Sequence, residues 1–139
     1  MAFLTHQYNL GDVPVMHMPA GAIAPRIGTA LVLSEGKLAI AKDMVKPEFI
    51  SLYDAGGKSV ADGTVIPVEP IYASTVYETE LTGNLSTVAV GSVHNINSNG
   101  SSITAANPYG SAKVISYDGN TAGSRVRVVF IEPMAETSP

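Results

Sequence analysis

From Ser124 to Phe130 the chain changes polarity at nearly every step. Val126, Val128 and Phe130 fall on one side, and Arg125, Arg127 and Val129 on the other. Strand side chains reverse direction residue by residue, so the pattern predicts a half-buried antiparallel strand. Similar short runs recur upstream. Residues 30–33 and 38–40 read as a hairpin around the turn Ser34–Lys37, and Phe49, Ile50 and Leu52 as a further strand. Between them, a helical turn is expected near Asp43–Val45, stopped by Pro47. Residues 64–72 carry Pro67 and Pro70 inside a β-like run, which predicts an edge or crossing strand because proline cannot donate to a ladder.

Downstream, Thr75, Tyr77, Thr79 and Leu81 alternate with Val76, Glu78 and Glu80, so one face should be solvated. Residues 86–96 read as a strand with a bulge or close packing at Gly91. Asn99-Gly100 marks a hairpin, residues 107–110 (NPYG) a turn, and residues 118–123 (DGNTAG) the turn between the last two strands. About eight to ten short strands with almost no helix define the fold class: all-β, a small antiparallel β-barrel or sandwich. Residues 19–133 form this body. Residues 134–139 read as a flexible tail.

Residues 1–18 follow neither period. Phe3, Leu4, Tyr8, Val13, Val15, Met16 and Met18 are interrupted by Gly11 and Pro14. Such a segment is too apolar for a water-loving tail, and it predicts an extended N-terminal arm that packs on the body or on a neighbour.

Composition narrows the functional classes. At 139 residues, one domain is expected. Charged residues make up 14% of the chain, against about 25% in ordinary soluble domains. Two explanations stand open: apolar surface kept for partners, or loops built from Ser, Thr, Asn and Gly. The net charge of −4 and the scattered basic residues argue against direct nucleic-acid binding. The absence of cysteine excludes disulfide and thiolate chemistry. The N-terminus does not read as a signal peptide, and no apolar run approaches the roughly 20 residues of a membrane span. A soluble protein made in the cytoplasm is expected.

No reactive motif is assembled in the sequence. His6, His17 and His94 match no zinc spacing. Glu78 and Glu80 share a strand face roughly 7 Å apart, a spacing two glycosidase carboxylates could use, but alternating acids more often solvate a face or guard an edge. There is no GxSxG elbow, no GxGxxG or Walker loop, and DGNTAG lacks the carboxylates of a calcium loop. No catalytic residue, cofactor or metal is expected.

Three segments carry a resemblance: residues 28–51 (GTALVLSEGKLAIAKDMVKPEFIS), 65–81 (VIPVEPIYASTVYETEL) and 112–130 (AKVISYDGNTAGSRVRVVF). Together, and chiefly through the early G-T-x-L-x-L-x-x-G-K-L and closing D-G-x-x-A-G-S-x-V-R-V-x-F hairpins, they resemble head decoration (capsid cement) proteins of tailed bacteriophages over residues 20–131. The resemblance implies a non-enzymatic virion protein on the outer capsid surface. Its partner would be the major capsid protein, and it would clamp neighbouring subunits of the expanded shell as a homotrimer, without touching membrane or nucleic acid. The arm would then supply the capsid contact through Phe3, Tyr8, Met16 and Met18. The alternative is a carbohydrate- or host-surface-binding module using the polar loops at 96–102 and 107–110, with Tyr109 beside Asn107.

Overall fold

A computed structural model of the chain describes residues 3–7, 14–72 and 75–134. These form eleven strands and no helix: β1 (Leu4–Gln7), β2 (Met16–Pro19), β3 (Ala30–Ser34), β4 (Lys37–Ile40), β5 (Phe49–Ser51), β6 (Val65–Pro70), β7 (Val76–Glu80), β8 (Val93–Ile96), β9 (Ile103–Ala106), β10 (Ala112–Tyr117) and β11 (Arg125–Phe130). They build two antiparallel sheets, ordered β1-β7-β11-β10-β8-β9 and β2-β6-β5-β3-β4. The all-β expectation holds in its sandwich form. Each sheet also curls: Ala20 meets Leu38 of β4, and Leu81 meets Ile103 of β9, each through one isolated bridge. Single bridges do not make a continuous barrel.

Alternation along the strands produces two cores. Ala30 pairs with Ile50 and Leu31 with Phe49, so adjacent residues of β3 and β5 face opposite ways. Ala30 and Ile50 join Tyr77, Val114, Val126, Val128 and Phe130 in the core between the sheets. Leu31 and Phe49 join Ala20, Leu38, Ile66 and Val68 in a second cluster on the other face of the curled five-stranded sheet. Each large aliphatic side chain so buried contributes about 1.5–3 kcal/mol.

The N-terminal segment packs on the body, one of the two places expected for it: β1 adds to β7 and β2 adds to β6. Three expectations need correction. The turn at 43–45 is not helical. Asp43 has φ +56° and exchanges two main-chain hydrogen bonds with Ile96, which stitches the sheets together. Strand character in 86–96 is confined to β8, and Gly91 (φ +90°) is a turn residue ahead of it. Finally, β6 lies inside its sheet despite two prolines. The Pro67 carbonyl accepts from Leu52, just past the end of β5, so the missing donor falls where that ladder stops. The β2–β6 register carried outward sets Pro70 opposite Pro14, beyond β2. Proline is tolerated where no ladder bond is due. Residues 135–139 of the expected tail lie outside the described residues.

Candidate functional site

The outer face of the β7–β11 ladder carries a charge network. The register sets Arg125 opposite Glu80 and Arg127 opposite Glu78. Arg125 reaches Glu78 Oε1 at 2.7 Å, and Arg127 sits 3.5 Å from Glu78 Oε2. Arg127 also donates to Ser116 Oγ and Asp118 Oδ1, each at 2.8 Å. Ser116 reaches that face because a register shift in β10 leaves Ile115 unpaired opposite β11. The hydrogen bond from Arg127 holds the Asp118 carboxyl below its ordinary value, and the same bond raises the guanidinium. Glu78 is thus part of a cross-strand ion-pair network, and Glu80 stands opposite Arg125 in the same ladder, which accounts for their spacing without chemistry.

His94, on β8, is wholly buried. Its Nδ1 donates to the Thr104 carbonyl at 2.8 Å, and Nε2 stands 2.8 Å from Ser92 Oγ, whose one proton also faces the Ala89 carbonyl at 2.7 Å. Burial lowers its pKa, against a smaller upward pull from the Thr104 bond. A serine hydroxyl on a histidine is half of a nucleophile–base arrangement. Here, however, a main-chain carbonyl stands in place of an orienting acid and the ring is sealed from solvent. The pair ties β8 to β9. His17 is exposed on β2, and among the described residues no three His, Asp or Glu side chains gather around one point.

The expected contact residues separate. Phe3 is 1% exposed in the inter-sheet core, so it is corrected from docking anchor to core residue. Its backbone N–H also binds the Gly28 carbonyl at 2.9 Å. Tyr8 lies outside the described residues. Met16 and Met18 pair with Val68 and Ile66 and so share the inward face of the β2–β6 ladder. Met18 packs on the second core, while Met16, at the ladder's end, stays 41% exposed. The outward face of that ladder holds His17, Pro19, Val65 and Pro67, none of them buried. Val65 is 59% exposed, and Val15, just ahead of β2, is 55% exposed. The alternation in β2 and β6 carried this apolar flank in the sequence, hidden by reading residues 1–18 as one aperiodic arm.

A cavity of about 620 Å³ opens elsewhere, lined by Ala24, Arg26, Ile27, Thr29, Asp54, Gly57, Asn99 and Ser101. It joins loops of the five-stranded sheet to the β8–β9 hairpin. The 107–110 turn takes no part: Asn107 Oδ1 is bound by the Tyr109 N–H at 2.9 Å. Among the described residues there is no helix long and apolar enough to cross a membrane. Compared with known proteins, the chain matches no family model and no curated sequence.

Proposed function

We propose that this protein is a structural component of a phage virion, binding the outside of the capsid as a homotrimer and stabilising the expanded shell. The observation that carries the reading is the apolar outward face of the β2–β6 ladder, where Val15 and Val65 remain exposed on a rigid sheet margin. A flank of this kind gains from docking and offers no chemistry. Its neighbours are Pro67 and Pro19, and Pro19, on the edge strand β2, limits edge-to-edge strand pairing and favours a face contact. The hairpin resemblance to capsid cement proteins supplies the partner, the major capsid protein.

The mechanism follows from linkage. A clip that binds only across assembled subunits adds its binding free energy to the closed shell. Three flanks on one trimer act together, so avidity exceeds a single contact by roughly 10²–10⁴. Sedimentation with expanded, undecorated shells tests this: the chain should saturate at a fixed copy number per capsid subunit. Val65→Asp should weaken binding roughly tenfold or more by placing a charge in the desolvated contact, with folding intact. Failure to cosediment, or unchanged binding by Val65→Asp and Val15→Asp, would overturn the reading. Deleting residues 1–18 is a poor test, because it removes β1, β2 and a core phenylalanine.

A further inference from the structure

We infer that the cavity between the two sheets' loops is a saccharide site, gripping adjacent sugar hydroxyls between Asp54, Arg26 and Asn99. The first ground is unfilled hydrogen-bonding capacity. Asp54 Oδ1 accepts from the Gly56 N–H at 2.8 Å, and Oδ2 has no protein donor among the described residues. Arg26 Nε stands 3.9 Å from Asp54 Oδ1, beyond hydrogen-bond range, so the guanidinium keeps its donors. Asn99 Oδ1 accepts from Ser101 Oγ at 2.5 Å, while its amide NH₂ has no protein acceptor among the described residues.

The second ground is preorganisation. Arg26 and Thr29 brace each other through Arg26 N–H to Thr29 Oγ1 at 2.9 Å and Thr29 N–H to the Arg26 carbonyl at 3.0 Å. Asn97 Oδ1 accepts the Ser101 and Ser102 N–H groups, and the Gly100 carbonyl binds the Ala30 N–H at 2.8 Å. These bonds fix the main chain that carries Arg26 and Asn99, and the Gly56 N–H fixes the Asp54 carboxylate, so less freedom is lost when a ligand arrives.

The third ground is the balance of chemistry. One carboxylate beside one guanidinium favours a neutral ligand; a bare anion would meet Asp54, and a lone carboxylate is too few for a cation. Each sugar hydroxyl both donates and accepts, which suits an acceptor on one wall and donors on the other. Ile27, exposed at the cavity, and Ala24 offer an apolar patch for the C–H face of the ring. The volume lies within the range of small-ligand sites and admits more than one ring.

The site is separate from the β2–β6 flank, so shell binding and sugar binding can fail independently. The test is a titration of the ¹⁵N-labelled full chain with free glucose, galactose and mannose and with their methyl glycosides, followed by amide chemical shifts. Saturable shifts are expected at Gly56, Gly57, Asn99 and Ser101, with dissociation constants of roughly millimolar order, while β10–β11 amides stay still. Asp54→Asn and Arg26→Ala should each weaken binding about tenfold, Val65→Asp not at all. Binding of the free sugars alone would mark a soluble ligand, and binding of the glycosides as well would mark a chain of surface glycan. The inference is overturned if no sugar shifts these amides well above millimolar concentration. It is overturned equally if acetate or glycine binds where sugars do not, or if Asp54→Asn leaves sugar binding unchanged.

Discussion

The Phe3 ring meets Phe130 edge-on, with centroids 5.1 Å apart and planes at 68°. This one contact turns the N-terminal segment from an appendage into part of the inter-sheet core, because Phe130 also meets the buried Tyr77 ring, with centroids 5.5 Å apart. Phe3→Ala should therefore lower unfolding free energy by about 3–5 kcal/mol in urea denaturation. Leu4, the next residue, is exposed on β1, and Leu4→Ala should change it by less than about 0.5 kcal/mol. Similar small effects for both would mean that β1 does not hold its place in solution.

The charge network predicts an asymmetry between its two arginines. Arg127, with a side chain 16% exposed, serves Ser116, Asp118 and Glu78, whereas the Arg125 side chain is 54% exposed. Arg127→Ala should cost about 2–3 kcal/mol, and Arg125→Ala at most about 1 kcal/mol. Lysine at 127 should restore little, since one ammonium cannot reproduce the planar fork. Equal losses at the two positions would count against the network as drawn.

Much of this was readable in the chain, and the failures share a cause. Val126, Val128 and Phe130 point inward as their alternation required, and the Asn99-Gly100 hairpin forms where the turn chemistry placed it. Glu78 and Glu80 on one strand and Arg125 and Arg127 on another each had the right period. What no single strand could disclose was that β7 and β11, more than forty residues apart, are neighbours. The same holds for the cavity, whose Arg26, Asp54 and Asn99 come from three separate loops. Local period decides which way a side chain points, while pairing between distant strands decides what it meets. Residues 3–7 and 14–18 show no common period because each belongs to a different sheet.

His94 gives the protein an acid-sensitive joint. Its pKa is lowered in the folded state, so between that value and the ordinary 6.5 the unfolded chain binds more protons than the folded one. Stability contributed by the neutral ring is complete above about pH 6.5 and is lost as pH falls through the window below it, flattening once both states are protonated. The slope from this one group cannot exceed about 1.4 kcal/mol per pH unit. Thermal unfolding between pH 5 and 7.5 should show the loss, and His94→Gln should flatten that part of the curve while lowering stability at neutral pH. Asp118 acts in the same direction at lower pH: its depressed carboxyl supports the fold above its ordinary value of 3.8 and ceases to as it protonates. A profile that is flat from pH 7.5 to 5 in the wild type would refute the buried neutral histidine.

Gly100 is the position where turn geometry and the seam between sheets coincide. Its φ is +71°, a region that costs other L-residues about 1 kcal/mol or more. A Cβ there would also stand 3.0 Å from both the Ala30 carbonyl oxygen and Ile40 Cγ2, and 3.2 Å from Thr29 Cγ2. The Ala30 oxygen cannot retreat freely, because it already accepts the Ala41 N–H at 2.9 Å within the five-stranded sheet. Gly100→Ala should thus lose the conformational cost plus about 1–3 kcal/mol of overpacking. Gly63 separates the two contributions: its φ is +88°, but a Cβ there meets nothing within 4 Å. Gly63→Ala should show the backbone cost alone. If urea denaturation gave the two variants the same loss, the β8–β9 hairpin would not be pressed against β3 as described.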